Sequence, residues 1–220
     1  SYTNVLNMLN LAQIPLKSSD RENLTPLICV GGPCACNPEP ITDFVDIVFL
    51  GDGEETTNQV IDLLIDCKKK GLSKKEFLLK AKDITGIYVP SFYEDSYNED
   101  GTLKELKPLY GAPEKVKKAV VSDMNKVFYP KEFVVPYINI VHDRAVEEIF
   151  RGCIRGCRFC QAGFIYRPIR EKSVETINKQ SKALIDSTGY DELSLCSLST
   201  SDHSDVNNML TTLIDWTVKE

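Results

Sequence analysis

Three thiols stand close together in the stretch RGCIRGCRFC at positions 151–160: Cys153, Cys157 and Cys160, spaced C-x3-C-x2-C. Thiolates are the preferred ligands of soft metals and of iron–sulfur clusters. Four cysteines would close every iron corner of a cubane cluster. Three leave one iron open, and an open position is what a catalytic metal requires. Such tight spacing lets one loop wrap three corners, and Gly152 and Gly156 let its backbone come close. The alternatives for these thiols are a zinc knuckle or a disulfide set. Zinc takes four ligands, usually in paired clusters. Here the next cysteine is Cys196, and the histidines are His142 and His203.

Charge sharpens the picture. The whole chain carries a net charge of −6, yet positions 151–172 hold six cations, Arg151, Arg155, Arg158, Arg167, Arg170 and Lys172, against Glu171 alone. Two readings stand open: solvated surface, or a basic setting that holds anions such as a cluster, a carboxylate or a substrate phosphate. The other cysteines carry less. Cys29, Cys67 and Cys196 read as small packed residues, Cys34 and Cys36 form a lone C-x-C, and both histidines read as structural.

The elements that must position the loop follow from hydrophobic period and turn chemistry. With 220 residues and 42% hydrophobic content the chain can bury a core, and eight cysteines in that length are not a secreted disulfide scaffold. A three-thiolate site argues for a reducing cytoplasm. No apolar run approaches the roughly 18–20 residues that span a bilayer. Helices are expected over residues 2–14, 54–70 and 73–82, the last opened by a Ser73–Glu76 capping box and the second closed by Gly71. Apolar runs at 26–30 and 46–50, each ended by glycines, read as buried strands. This alternation predicts a doubly wound (Rossmann-like) parallel sheet, with Gly31, Gly32, Gly51, Gly53 and Glu54 on its ligand-binding rim. The residues alone leave open that these glycines simply end strands.

Asn98-Glu-Asp-Gly101 predicts a hairpin turn between strand-like runs at 87–93 and 102–106, and a further strand is expected over 117–122 within a linker. Strands at 133–141, 145–150 and 192–198 follow, with helices at 173–187 and 205–217; the first of these starts at an N-capping Ser173, and the second turns Met209, Leu210, Leu213 and Trp216 to one face. In a β/α barrel the carboxyl ends of the strands carry the chemistry, and that is where the cysteine loop falls. The chain begins at Ser1 within a helical pattern and ends at Glu220 after another, so it reads as a piece of a longer protein.

C-x3-C-x2-C with Phe159 before the last cysteine resembles the cluster loop of radical S-adenosylmethionine (SAM) enzymes. Together with PYINIVHDR at 136–144, VEEIFRGC at 146–153 and CQAGFIYRPIR at 160–170, it resembles an uncharacterised bacterial branch of that superfamily, whose members carry a cobalamin-binding-like domain ahead of the barrel. The resemblance runs from Ser1 to about Asp202. It implies an incomplete cobalamin-binding-type α/β domain over 1–86, a hairpin and linker over 87–132, and the first βα units of a partial TIM-type barrel over 133–220. It implies a [4Fe–4S] cluster on Cys153, Cys157 and Cys160, and SAM on the fourth iron, cleaved to a 5′-deoxyadenosyl radical. Cobalamin is a further implied cofactor; the usual cobalt-ligand motif D-x-H-x2-G is absent from this sequence.

By the same resemblance Phe159 would lie near the adenine, unless it is a core side chain. Ser199 and Asp202 (with Thr200) would bind the SAM amino group, unless Ser201 or Asp202 caps a helix instead. Arg167 and Arg170 would orient SAM or substrate, unless they form surface ion pairs. The implied enzyme is an oxidoreductase or transferase acting on an unknown substrate, RNA or protein among the options, by modification or by methyl or methylthio transfer, with a reductant for its cluster and no membrane partner. The isolated piece is expected to be inactive. The competing reading is a non-enzymatic zinc-binding or iron–sulfur electron-transfer module.

Overall fold

The computed structural model describes residues 2–138 and 140–217, the side chains of Trp216 and Thr217 excepted. The expectation for Trp216, and that for position 139, lie outside the described residues. Two compact units divide the chain, Ser1–Val120 and Val121–Glu220.

In the first unit α1 (Tyr2–Leu11) buries Leu9 and half-buries Val5 and Leu6. Two short strands follow, β1 (Cys29–Val30) and β2 (Ile47–Phe49), paired in parallel with Cys29 opposite Ile47 and Val30 opposite Val48. Helix α2 (Thr56–Lys69) is followed by Gly71 at φ +65°, a left-handed conformation that glycine adopts without strain. Helix α3 (Lys74–Ala81) opens on the expected capping box: Glu76 N–H donates to Ser73 Oγ at 3.3 Å, and Ser73 N–H donates to Glu76 Oε2 at 2.8 Å.

Strand β3 (Ile87–Tyr88) joins β2 antiparallel, completing a three-stranded sheet ordered β1-β2-β3. The parallel pair agrees with the predicted α/β class, but the third strand runs the other way. Two helices rather than one separate β2 from β3, so the chain re-enters the sheet from the opposite end. Side chains alternate across the sheet as strand geometry demands. Ile47, Ile87 and Val89 pack with Val60, Cys67 and Phe77 on the helical side, while Val48 and Tyr88 pack with Ala35, Ile41 and Val45 on the other.

At the start of β2 the fully buried Asp46 carboxylate is met by Lys74 Nζ at 2.6 Å, Arg21 Nη2 at 3.2 Å and the Ile28 N–H at 2.7 Å, with Ser18 Oγ donating as well. Hairpin β4 (Tyr93–Tyr97) and β5 (Leu103–Pro108) turns at the predicted Asn98–Gly101 site. The strand expected over 117–122 is reduced to one bridge, Ala119 to Gly51.

The second unit is built on a strand–helix–strand core. Strand β6 (Ala145–Glu148) leads into β7 (Phe150–Arg151); after the cysteine loop come α4 (Ala162–Ile165), β8 (Arg170–Glu171), α5 (Val174–Thr188), β9 (Leu193–Cys196) and α6 (Val206–Thr217). β6 pairs with β9 in parallel, Ala145 opposite Leu193 and Glu148 opposite Cys196. Ser173 caps α5, accepting the Thr176 N–H at 3.2 Å.

Ile149, Phe150, Ile177, Met209 and Leu213 form the apolar core. Ala145, Glu147 and Ile149 alternate inward, and Glu147 meets the buried Lys172 at 2.8 Å. Lys172 also donates to Gln180 Oε1 at 2.7 Å. Burial raises the Glu147 carboxyl above its ordinary range, against the opposing pull of Lys172.

Three sequence expectations fail here. Among the described residues of 133–141 there is no strand, and Val134, Tyr137 and Val141 are exposed. An apolar β-branched run makes a strand only when a neighbour supplies a ladder, and Pro136 removes one donor. Cys29 and Cys196, expected to be packed, are exposed, whereas Cys67 is buried as expected. Cys29 stands on the edge strand β1 and Cys196 at the last residue of β9, where no further strand covers them among the described residues. Among the described residues no helix is long and apolar enough to cross a membrane.

Candidate metal centre in the cysteine loop

The loop that carries the three thiols is pinned at both ends. β7 and β8 pair antiparallel, Phe150 opposite Glu171 and Arg151 opposite Arg170, so residues 152–169 leave and return through one two-stranded neck. Gly152, at φ +96°, lies where the two arms cross. A Cβ there would stand 2.9 Å from both the Ile169 Cα and the Pro168 carbonyl oxygen, so no side chain fits. Gly156, at φ +61°, makes the turn between Cys153 and Cys157. Both glycines singled out in the sequence therefore have a backbone reason.

Within the loop the Cys160 N–H donates to the Cys157 carbonyl at 3.0 Å, and the Arg155 N–H donates to Cys153 Sγ at 3.5 Å. Cys157 is exposed, and Cys153 and Cys160 are half-buried; all three are free thiols. The donor set fits a three-thiolate cluster: three soft ligands on one short loop, open to solvent, one already accepting a backbone N–H. Among the described residues no group of three or more cysteine, histidine or carboxylate side chains is gathered closely enough to hold a metal ion. The three thiols thus stand on one loop without being drawn together.

The remaining predicted contacts sort themselves by geometry. Phe159 is 93% exposed, which removes the core reading and leaves its ring at the surface beside Cys160. Asp202 ends a 3-10 turn (Thr200–Asp202) after β9, its carboxylate 9% exposed, and it takes two bonds from the Arg155 guanidinium, Nε to Oδ2 at 2.7 Å and the second nitrogen to Oδ1. Ser199 Oγ donates to the same carboxylate at 2.6 Å. Arg155, and after it Ser199, hold the Asp202 carboxyl below its ordinary range. Arg170 is buried, donating to the carbonyls of Pro168 at 3.0 Å and Tyr166 at 3.2 Å, so it braces the returning arm of the loop. Arg167 is exposed, its guanidinium 4.7 Å from the Phe164 ring centre.

The basic stretch is therefore not a uniform anion cradle. Lys172 is spent on Glu147, Arg155 on Asp202, and Arg151 on Glu148 at 2.8 Å. Sequence reasoning missed the Arg155–Asp202 pair, whose partners lie 47 residues apart with no local signal to join them.

In the first unit the glycine rim is placed as expected at the carboxyl ends of the parallel strands β1 and β2. Gly32 has φ +91° and open space where a Cβ would stand, with nothing within 4 Å, while Gly31 abuts Phe49. Gly51 is enclosed by the chain itself: a Cβ would stand 2.0 Å from the Ala119 carbonyl oxygen, and Asp52 N–H donates to that oxygen at 2.9 Å. Gly53 and Glu54 follow at the entry to α2, half-buried.

The second unit thus sets three free cysteines on one loop beyond the end of a parallel strand. Comparison with known proteins adds an observation from a different part of the chain. Residues 1–90 match the family described as radical SAM proteins, N-terminal, and this supports membership of the chain in the radical SAM superfamily. The matched segment does not include the cysteine loop, so the two observations are independent. The chain is also similar to an uncharacterised protein of Methanocaldococcus jannaschii, 26% identical over 172 residues that cover 74% of this chain and 29% of the relative. The chain thus spans less than a third of that relative's length.

Proposed function

We propose that this chain is part of a radical SAM iron–sulfur enzyme, with Cys153, Cys157 and Cys160 holding three corners of a [4Fe–4S] cluster and leaving the fourth iron to SAM. The observation that carries the reading is the loop: three free thiols in C-x3-C-x2-C, beyond the end of β6 and held at a β7–β8 neck. A reduced cluster, once bound, supplies the electron for cleavage of SAM to the 5′-deoxyadenosyl radical. The protein's part is to gather the thiols, to present Phe159 beside the last ligand, and to brace the loop through Arg170. The reaction served is modification of, or methyl or methylthio transfer to, a substrate the residues do not identify, RNA or protein among the options, with a separate reductant feeding the cluster. Cobalamin on the rim at Gly31, Gly32, Gly53 and Glu54 belongs to the same proposal, with Gly51 given over to the Ala119 backbone, as does the placing of barrel strands from β6 onward.

Iron and acid-labile sulfide, measured after anaerobic reconstitution, test the core of it. About four of each per chain are expected, falling to near zero in Cys157→Ala. Zinc without sulfide would overturn the reading in favour of a structural metal site. A cluster that forms but does not cleave SAM in the intact protein would leave an electron-transfer module.

A further inference from the structure

Beyond the three ligands, one feature of the cysteine loop has no part in the proposed chemistry. Arg155 stands between Cys153 and Cys157, and it acts in two directions. Its backbone N–H touches the Cys153 sulfur at 3.5 Å, while its guanidinium grips Asp202 through two bonds, one of 2.7 Å. Asp202 is itself fixed: its carboxylate is nearly buried and accepts Ser199 Oγ at 2.6 Å, in the loop that follows β9. Because β6 and β9 run in parallel as neighbours, the loops that follow them emerge at the same end of the sheet. The pair crosses that gap.

Little else ties the tip of the cysteine loop. Ile154 is 62% exposed and Phe159 is 93% exposed, so neither apolar side chain anchors it. Arg158, one residue past Cys157, is exposed and makes no hydrogen bond or ion pair among the described residues. Position, not charge alone, distinguishes the two arginines. A forked guanidinium–carboxylate pair fixes orientation as well as distance, and ordering the loop in advance removes part of the entropy that ligand gathering must otherwise overcome.

We propose that Arg155 and Asp202 form a positioning latch that holds the cysteine loop against the loop after β9 before any metal arrives, and thereby sets how readily the three thiols collect a cluster. The inference rests on the cluster reading for its purpose but not for its test. Amide hydrogen exchange on the metal-free chain, read at short labelling times in peptides spanning 152–161, should rise about five-fold in both Arg155→Gln and Asp202→Asn, the size expected for loss of one charge-assisted pair. Arg158→Gln, which removes the same charge from the same loop, should match the parent. The double exchange Arg155→Asp with Asp202→Arg should restore protection. Peptides from α5 serve as the folding control in every variant.

Unchanged exchange in both Arg155→Gln and Asp202→Asn would overturn the latch, as would an equal rise in Arg158→Gln. Reconstitution then asks what the latch is for: iron and sulfide uptake should slow in Arg155→Gln and recover in the double exchange, an effect a merely structural residue would not show. If the parent itself takes up no iron and sulfide, the cluster reading falls while the exchange comparison still decides the latch.

Discussion

Both units place a glycine-bearing loop beyond the carboxyl end of a parallel strand, and they use it in opposite ways. After β2, the space beside Gly51 is filled by the backbone of Ala119 from elsewhere in the unit. After β6, the space beside Gly152 is filled by the loop's own returning arm at Pro168 and Ile169, and what is left facing solvent is thiols. Charge follows the same division. In the first unit Asp46 is sealed in with Arg21 and Lys74, while in the second the Arg155–Asp202 pair is set between two loops with its guanidinium 59% exposed. A glycine at a strand end therefore reports close approach, and only the residues around it say whether the approach serves packing or a ligand.

The largest effect that can test this contrast is expected at Asp46. Asp46→Asn would leave Arg21 and Lys74 buried with no carboxylate between them, and breaking such a set costs about 3–5 kcal/mol. Denaturant unfolding should show the first unit melting early or not folding. If stability moved by less than about 1 kcal/mol, the cluster would be better hydrated than its burial implies.

The two glycines come next. Gly51→Ala forces a contact of 2.0 Å onto backbone in a positive-φ position, and Gly152→Ala forces contacts of 2.9 Å at φ +96°. Each should destabilise by at least about 1–3 kcal/mol. The variants should differ in where the damage appears: Gly51→Ala in the melting of the first unit, Gly152→Ala in a loss of cluster uptake with the α5 core retained. Parallel loss of both properties in both variants would erase the distinction drawn between the loops.

The smallest effect concerns acid. Glu76, held by Ser73 in the capping box, has its carboxyl lowered from the ordinary value of 4.5. The unfolded chain therefore binds more protons than the folded one as pH drops past that value. The cap's contribution is present above it and is lost as pH falls through the lowered one. Urea midpoints between neutral pH and about pH 3 should fall less steeply in Glu76→Gln than in the parent, and identical slopes would remove the cap from the acid response.

Much of this architecture was legible in advance because its signals are local. The Ser73 and Ser173 caps, the Gly71 stop and the Asp-Gly hairpin each rest on a few adjacent residues, and each is found. The spacing of Cys153, Cys157 and Cys160 likewise needs no tertiary knowledge. What escaped depends on partners distant in sequence. The strand direction of β3, the missing ladder for 133–141 and the edge exposure of Cys29 and Cys196 are all decided by which segment lies alongside. The Arg155–Asp202 pair belongs with them, as does the sealing of Gly51 by Ala119. Charge counting left the role of 151–172 open, because a sequence displays its cations but not the carboxylates and carbonyls that meet them.

The β7–β8 neck has a consequence for the order of assembly. Residues 152–169 hang from a two-stranded collar, and Phe150 of that collar is packed into the apolar core with Ile149, Ile177 and Met209. On the cluster reading, the rearrangement that brings three sulfurs together lies within that excursion and its tie to Asp202, and need not disturb β6, α5 or α6. On that reading the scaffold can be finished first and its inorganic part fitted later, as a cassette is loaded into a completed housing.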